Sequence, residues 1–242
     1  RKMNVAIFLG IIAAIAIFFI IVMIIDCNRF VIREYTVTSE KLKKSGRFIL
    51  LSDLHNKSFG KDNQRLIKAI DKQNPDAILI AGDMYTSAKN ENNMASADFV
   101  CRLAEKYPVY YGNGNHEHKT RLYPDVFGTM YEDYMAKIRV AGVDILVNEK
   151  VTLPSFNMDI YGLEIERSYY KKFVSQHMER SYLEDLLGNP DPDRFNLLIA
   201  HAVYHDLVHH FKSSFFTHGL DLTDDLSYKS LLNEFLTQIC IK

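Results

Sequence analysis

"FILLSDLHNKSFGKDNQRLIKAIDKQNPDAILIAGD", residues 48–83, begins and ends in short apolar runs separated by a segment of mixed, helix-like texture. The runs within 47–53 and 76–83 are too short for helices and carry consecutive apolar residues, the pattern of strands covered on both faces. Between them, 63–73 reads as an amphipathic helix that ends ahead of Pro75. Strand, helix, strand at this spacing is a βαβ unit, and its two strands run parallel.

The alternation continues outward, with a helix over 96–107 and a strand over 108–113. Three short strands with turn signals follow, at 143–148, 151–155 and 158–164, with a more antiparallel texture. A helix over 169–188 closes at Gly188, and 195–202 is another buried strand. There is no internal repeat and no low-complexity tract. The expectation is one α/β domain over 45–205, followed by an atypical tail at 206–242.

Upstream, Val5–Ile25 carries no polar or charged side chain. At about 1.5 Å per residue such a run crosses a hydrocarbon core of about 30 Å, so one transmembrane helix is expected, with a flank at 1–4 and a juxtamembrane linker at 26–44. A cleaved signal has a shorter apolar core and small residues at its cleavage site, whereas this run ends in "IIDCNRF". Asp26 also stands where a lipoprotein acceptor at Cys27 needs a small residue. Arg1 and Lys2 flank one side; Arg29, Arg33, Lys41, Lys43 and Lys44 flank the other, so charge alone leaves the orientation open.

The net charge of −1 and the lack of a basic block argue against a nucleic-acid partner. Cys27, Cys101 and Cys240 form no C-x-x-C pair, which leaves neither a disulfide framework nor a cysteine zinc site.

In α/β sheets ligands gather beyond the carboxyl ends of the strands. Four such ends carry Asp53 and His55; Gly82 and Asp83; Gly112 to Glu117; and His201. Singly these are ordinary turn, cap or core residues. Jointly they deliver oxygen and imidazole donors that suit borderline divalent cations, without sulfur. A dinucleotide loop at Gly112 and Gly114 is excluded because the third glycine is missing and acids and imidazoles crowd the pyrophosphate position.

"SDLH" (52–55), "AGDM" (81–84), "GNGNHE" (112–117) and "IAHA" (199–202) resemble, in order and strand context, the motifs of the calcineurin-like metallophosphoesterases, and the anchor resembles that of their membrane-bound members. The resemblance implies a sandwich of two mixed β-sheets flanked by helices. It also implies two divalent metal ions, manganese, iron or zinc, with Asp53 and His55 on the first, Asp83 bridging, and Asn115 and His201 on the second. His116 would act as general acid or stabilise charge on the phosphate. Gly114 would allow a tight bend, Glu117 would orient a neighbour, and His118 would be a solvated loop residue.

The function implied is phosphodiester or phosphomonoester hydrolysis by a hydroxide activated between two metals, with the catalytic domain extracytoplasmic; the membrane anchor, not the resemblance, suggests a lipid or envelope phosphoester as substrate. The family pattern also calls for Gly-His-x-His after His201, whereas the tail offers only Thr217, His218 and Gly219, with Phe216 in place of the other histidine. Three readings stand: His218 supplies a ligand; His205, His209 or His210 fills in; or the end is truncated or frame-altered. The alternative function is therefore a catalytically impaired membrane-anchored module of the same fold.

Overall fold

The computed structural model describes residues 2–89, 91–170 and 180–201. The chain divides into two compact units, residues 1–32 and 33–241. In the first, α1 (Lys2–Cys27) is a single helix. Its stretch Ile7–Ile25 is long and apolar enough to cross a membrane, and none of it is buried against protein. A helix apolar on every side needs a nonaqueous partner, as a membrane span or a signal sequence has.

The second unit is built on β1 (Phe48–Leu51), β2 (Ala77–Ala81), β3 (Val109–Gly112) and β4 (Asp144–Leu146), all parallel and in that order. Every residue of β2 is buried, as its unbroken apolar run requires. Helices α2 (Gln64–Asp71) and α3 (Met94–Ala104) make the crossovers, burying Leu66, Ile67 and Ile70, and Phe99, Val100 and Leu103.

A second sheet holds β5 (Glu149–Leu153), β6 (Met158–Leu163) and β7 (Phe195–Ala200), with β5 antiparallel and β7 parallel to β6. Ala77, Leu79, Ala81 and Tyr110 of the first sheet share one core with Met158, Ile160 and Ile199 of the second. The result is an α/β sandwich of one parallel and one mixed sheet with flanking helices.

One local expectation changes. Residues 143–148 were grouped with antiparallel strands, but β4 pairs parallel with β3. The cause is the chain between them, which forms α4 (Asn115–Leu122), the single turn α5 (Pro124–Phe127) and α6 (Met130–Val140). A helical crossover returns the strand in the same direction. Of the helix expected over 169–188, α7 (Arg180–Leu187) is present, and 171–179 lie outside the described residues. So do Ala202 and the whole tail, including His205, His209, His210, Phe216 and His218.

Candidate metal centre

The loops after β1 and β2 run side by side beyond their strands. Asp53 N donates to Gly82 O at 3.1 Å, His55 N to Asp83 O at 3.0 Å and Asn56 N to Met84 O at 3.1 Å. Asp53, His55, Asn56 and Asp83 all have φ between 48° and 60°. Left-handed backbone is uncommon outside glycine, and such residues cluster where a site demands an exact side-chain direction.

The third loop packs directly on these two. A Cβ on Gly82 (φ 76°) would run into the backbone of Asn113 and Gly114, and a Cβ on Gly114 would run into Asp83. Gly114 itself is extended (φ −95°, ψ −174°), so its glycine is required by close approach and not by the tight bend expected. Asn115 and His116 then open α4 instead of lying in a loop.

These loops and the end of β7 bring Asp53, His55, Asp83, Asn115, His116 and His201 together. Asp83 Oδ2 lies 3.2 Å from His201 Nε2, 3.8 Å from His116 Nε2 and 3.9 Å from His55 Nε2. Asp53 Oδ1 lies 3.5 Å from His55 Nε2 and 3.9 Å from His201 Nε2. Two triads, Asp53–Asp83–His201 and His55–Asp83–His116, each keep their donor atoms within 4.8 Å, and they share Asp83. Distance alone thus adds His116 to the donor groups, which the family resemblance does not.

The donor set fits divalent cations. His201 Nδ1 lies 2.9 Å from the carbonyl of Ala81, which can only accept, so Nδ1 carries hydrogen and Nε2 is turned to the carboxylates. Burial disfavours charge on His201, but the hydrogen bond and charge of Asp83, then Asp53, outweigh it and hold its pKa at about 9. His55 is also raised, first by its hydrogen bond to Asp53. Burial lowers His116 instead, so it is at His55 and His201 that the carboxylates call for positive charge. The Asn115 amide is best satisfied with Nδ2 toward Asp83 Oδ2 (3.2 Å) and His201 Nε2 (3.1 Å); turned over, it offers Oδ1 to a cation at the same place.

Glu117 is fully buried and holds the frame. Burial, then the charge of Asp83, pushes its pKa to about 7. Its carboxylate accepts from Gly114 N at 3.0 Å and so satisfies the α4 amino terminus, half of a capping box whose other half needs a side chain that Gly114 lacks. His118 departs from expectation: only 6% exposed, it sits with Nδ1 3.1 Å from Glu164 Oε1 and is not a solvated loop residue. Glu164 also pairs with Arg121 and accepts from Asn113 Nδ2 at 2.8 Å. Neither Glu164 nor Ser87, whose main-chain N donates to His116 Nδ1 at 2.8 Å, carries a sequence signal of its own.

An open groove of about 730 Å³ adjoins the centre, lined by Asp53, His55, Asn56, Lys57, Glu91 and Asn92 among others. Its polar rim is ordered: Glu91 Oε2 accepts from Thr86 Oγ1 at 2.6 Å and from Asn56 Nδ2 at 2.7 Å.

A search of curated proteins finds no match. The family model described as calcineurin-like phosphoesterase matches residues 46–233, well over half of the chain. The motif residues gathered around Asp83 fall within that match, and the chain belongs to the calcineurin-like phosphoesterase family.

Proposed function

We propose that the chain is a divalent-metal-dependent phosphoester hydrolase held at a membrane by α1, with its catalytic domain on the extracytoplasmic side. The observation that carries this reading is the convergence of Asp53 Oδ1 and Asp83 Oδ2 on the Nε2 atoms of both His55 and His201, with Asp83 facing each histidine. Asp53, His55, Asp83, Asn115 and His201 would hold two metal ions, manganese, iron or zinc. When bound, such ions supply Lewis acidity for water activation and for charge on the phosphoryl oxygens.

The chain's own groups do the rest. Ser52 Oγ donates to Asp53 Oδ2 at 2.6 Å and turns the other oxygen toward the histidines. His116 Nε2 lies on the same side of Asp83 as the donor set, in position to assist a phosphoryl or leaving-group oxygen. The groove beside His55 is the place for the substrate's organic part, with a phosphoester of lipid or envelope origin as the class that anchoring favours.

A second reading, an impaired module, is favoured by Phe216 standing where the family pattern has a histidine. The test is hydrolysis of aryl phosphodiesters and phosphomonoesters by the full chain in detergent, stripped of metal and reloaded with manganese. Metal-dependent turnover that Asp83→Asn abolishes is expected. Its absence with every metal tried favours the module.

A further inference from the structure

The two ring nitrogens of His116 have different neighbours. Nδ1 lies 2.8 Å from the main-chain N of Ser87 and 3.0 Å from its Oγ. An amide N–H only donates, so Nδ1 must face it with a lone pair. In the neutral ring the hydrogen is then on Nε2, the atom 3.8 Å from Asp83 Oδ2. A nitrogen that carries hydrogen has no lone pair for a cation.

The neutral His201 ring is set the opposite way, because its Nδ1 meets the Ala81 carbonyl and the lone pair falls on Nε2, the nitrogen that takes a proton when no cation is bound. Two imidazoles therefore approach the same carboxylate oxygen with opposite character, one through a main-chain carbonyl and one through a main-chain amide.

The geometry points to Ser87 as the positioning residue of this centre: its main-chain N–H fixes His116 in the Nε2–H tautomer, withholds it from the metal ligands, and presents it as a hydrogen-bond donor to phosphoryl or leaving-group oxygen. The donor's target rests on the proposed hydrolysis; the tautomer does not. The surroundings keep the pair in register. His116 N donates to Asp83 Oδ1 at 2.9 Å, and Glu117 accepts from the main chain of Asp83 and Met84. The segment leading to Ser87 and the start of α4 are thus tied together. The His55 ring stands edge-on to His116, centroids 5.1 Å apart at 80°, which limits rotation of the imidazole.

The test is long-range proton–nitrogen NMR of the metal-stripped full chain with isotope-labelled histidine, at alkaline pH, with His116 assigned by loss of its signals in His116→Gln. Wild type and Ser87→Ala, which keeps the N–H, should both show unprotonated Nδ1 and protonated Nε2. Ser87→Pro, which lacks the N–H, should show mixed tautomers, and its manganese-loaded turnover of an aryl phosphodiester should fall by about 10²-fold at unchanged metal content.

A wild-type ring protonated on Nδ1, or a cadmium-loaded chain in which cadmium splits the His116 Nε2 resonance, would overturn the proposal. A folded Ser87→Pro that keeps the pure Nε2–H form would overturn the role of Ser87. Should the proline variant fail to fold, the wild-type, Ser87→Ala and cadmium spectra still decide. Inactivity of wild type on every phosphoester would remove the hydrolase reading and leave the tautomer standing.

Discussion

Glu117 holds Asp83 by its main chain, not by its side chain: Oε2 accepts from Asp83 N at 2.9 Å and Oε1 from Met84 N at 3.0 Å. The same carboxylate accepts from Gly114 N at 3.0 Å and from Tyr111 OH at 2.7 Å. One buried acid thus joins the second and third loops of the centre. Above its pKa of about 7 Glu117 is an all-acceptor group, and Glu117→Gln there turns an NH₂ against a main-chain donor. A loss of about 1–3 kcal/mol is expected, read as a lower thermal unfolding midpoint, with a matching fall in metal retention. An unchanged midpoint would dismiss the clamp.

The shared position of Asp83 makes ligand variants unequal. Asp83→Asn should cost both metal ions, whereas His201→Ala should cost one, because its Nε2 belongs to a single donor group. Calorimetric titration with excess manganese, which counts sites whether tight or weak, checks this. Two sites filled in Asp83→Asn would contradict the sharing.

Below the centre, Glu164 joins the second sheet to α4. Burial works to raise its pKa, but hydrogen bonds from His118 and Asn113 and the charge of Arg121 prevail and hold it below the ordinary carboxylate value of 4.5. A depressed folded pKa gives stability that is full above the unfolded value and lost as pH falls through the folded one. Thermal midpoints should therefore decline below pH 4.5 in wild type. Glu164→Gln should be less stable at neutral pH and show a shallower acid decline. Parallel acid profiles would refute the assignment.

What could be read in advance, and what could not, follows from the kind of burial involved. The runs at 48–51 and 77–81 announce themselves because both faces of those strands are apolar. The four donor-bearing strand ends follow directly from them. Helix α4 does not announce itself, since its buried residues are Glu117, His118 and Thr120, polar groups satisfied by partners remote in sequence. His118 is buried because Glu164, beyond β6, meets it. Missing α6 then misdirected β4, whose parallel sense depends on a helical crossover. Ser87 contributes through a main-chain N–H, which no residue type reveals.

Helix α1 carries a separate expectation. If Ile7–Ile25 is an uncleaved span, the full-length chain stays in the pellet after carbonate washing. In intact cells, added protease degrades the domain if it faces outward. Recovery of a shortened, soluble form would instead identify the segment as a cleaved signal.

The last expectation concerns how firmly two ions are held. Asp53, His55, Asp83, Asn115 and His201 converge among the described residues, while Phe216, outside them, stands where the family pattern has an imidazole. A phenyl ring donates nothing to a cation. His116 cannot make up the deficit if its Nε2 carries hydrogen, as the Ser87 amide requires. The position left open falls to water, which binds more weakly than imidazole and leaves the remaining ligands less well ordered. Wild type should therefore retain fewer than two ions per chain through dialysis and turn over phosphodiesters slowly. Phe216→His should raise both retention and turnover, with Phe216→Leu as the control that leaves them unchanged. Two ions held by wild type, with no gain in Phe216→His, would mean that His218 or another tail group already supplies the ligand.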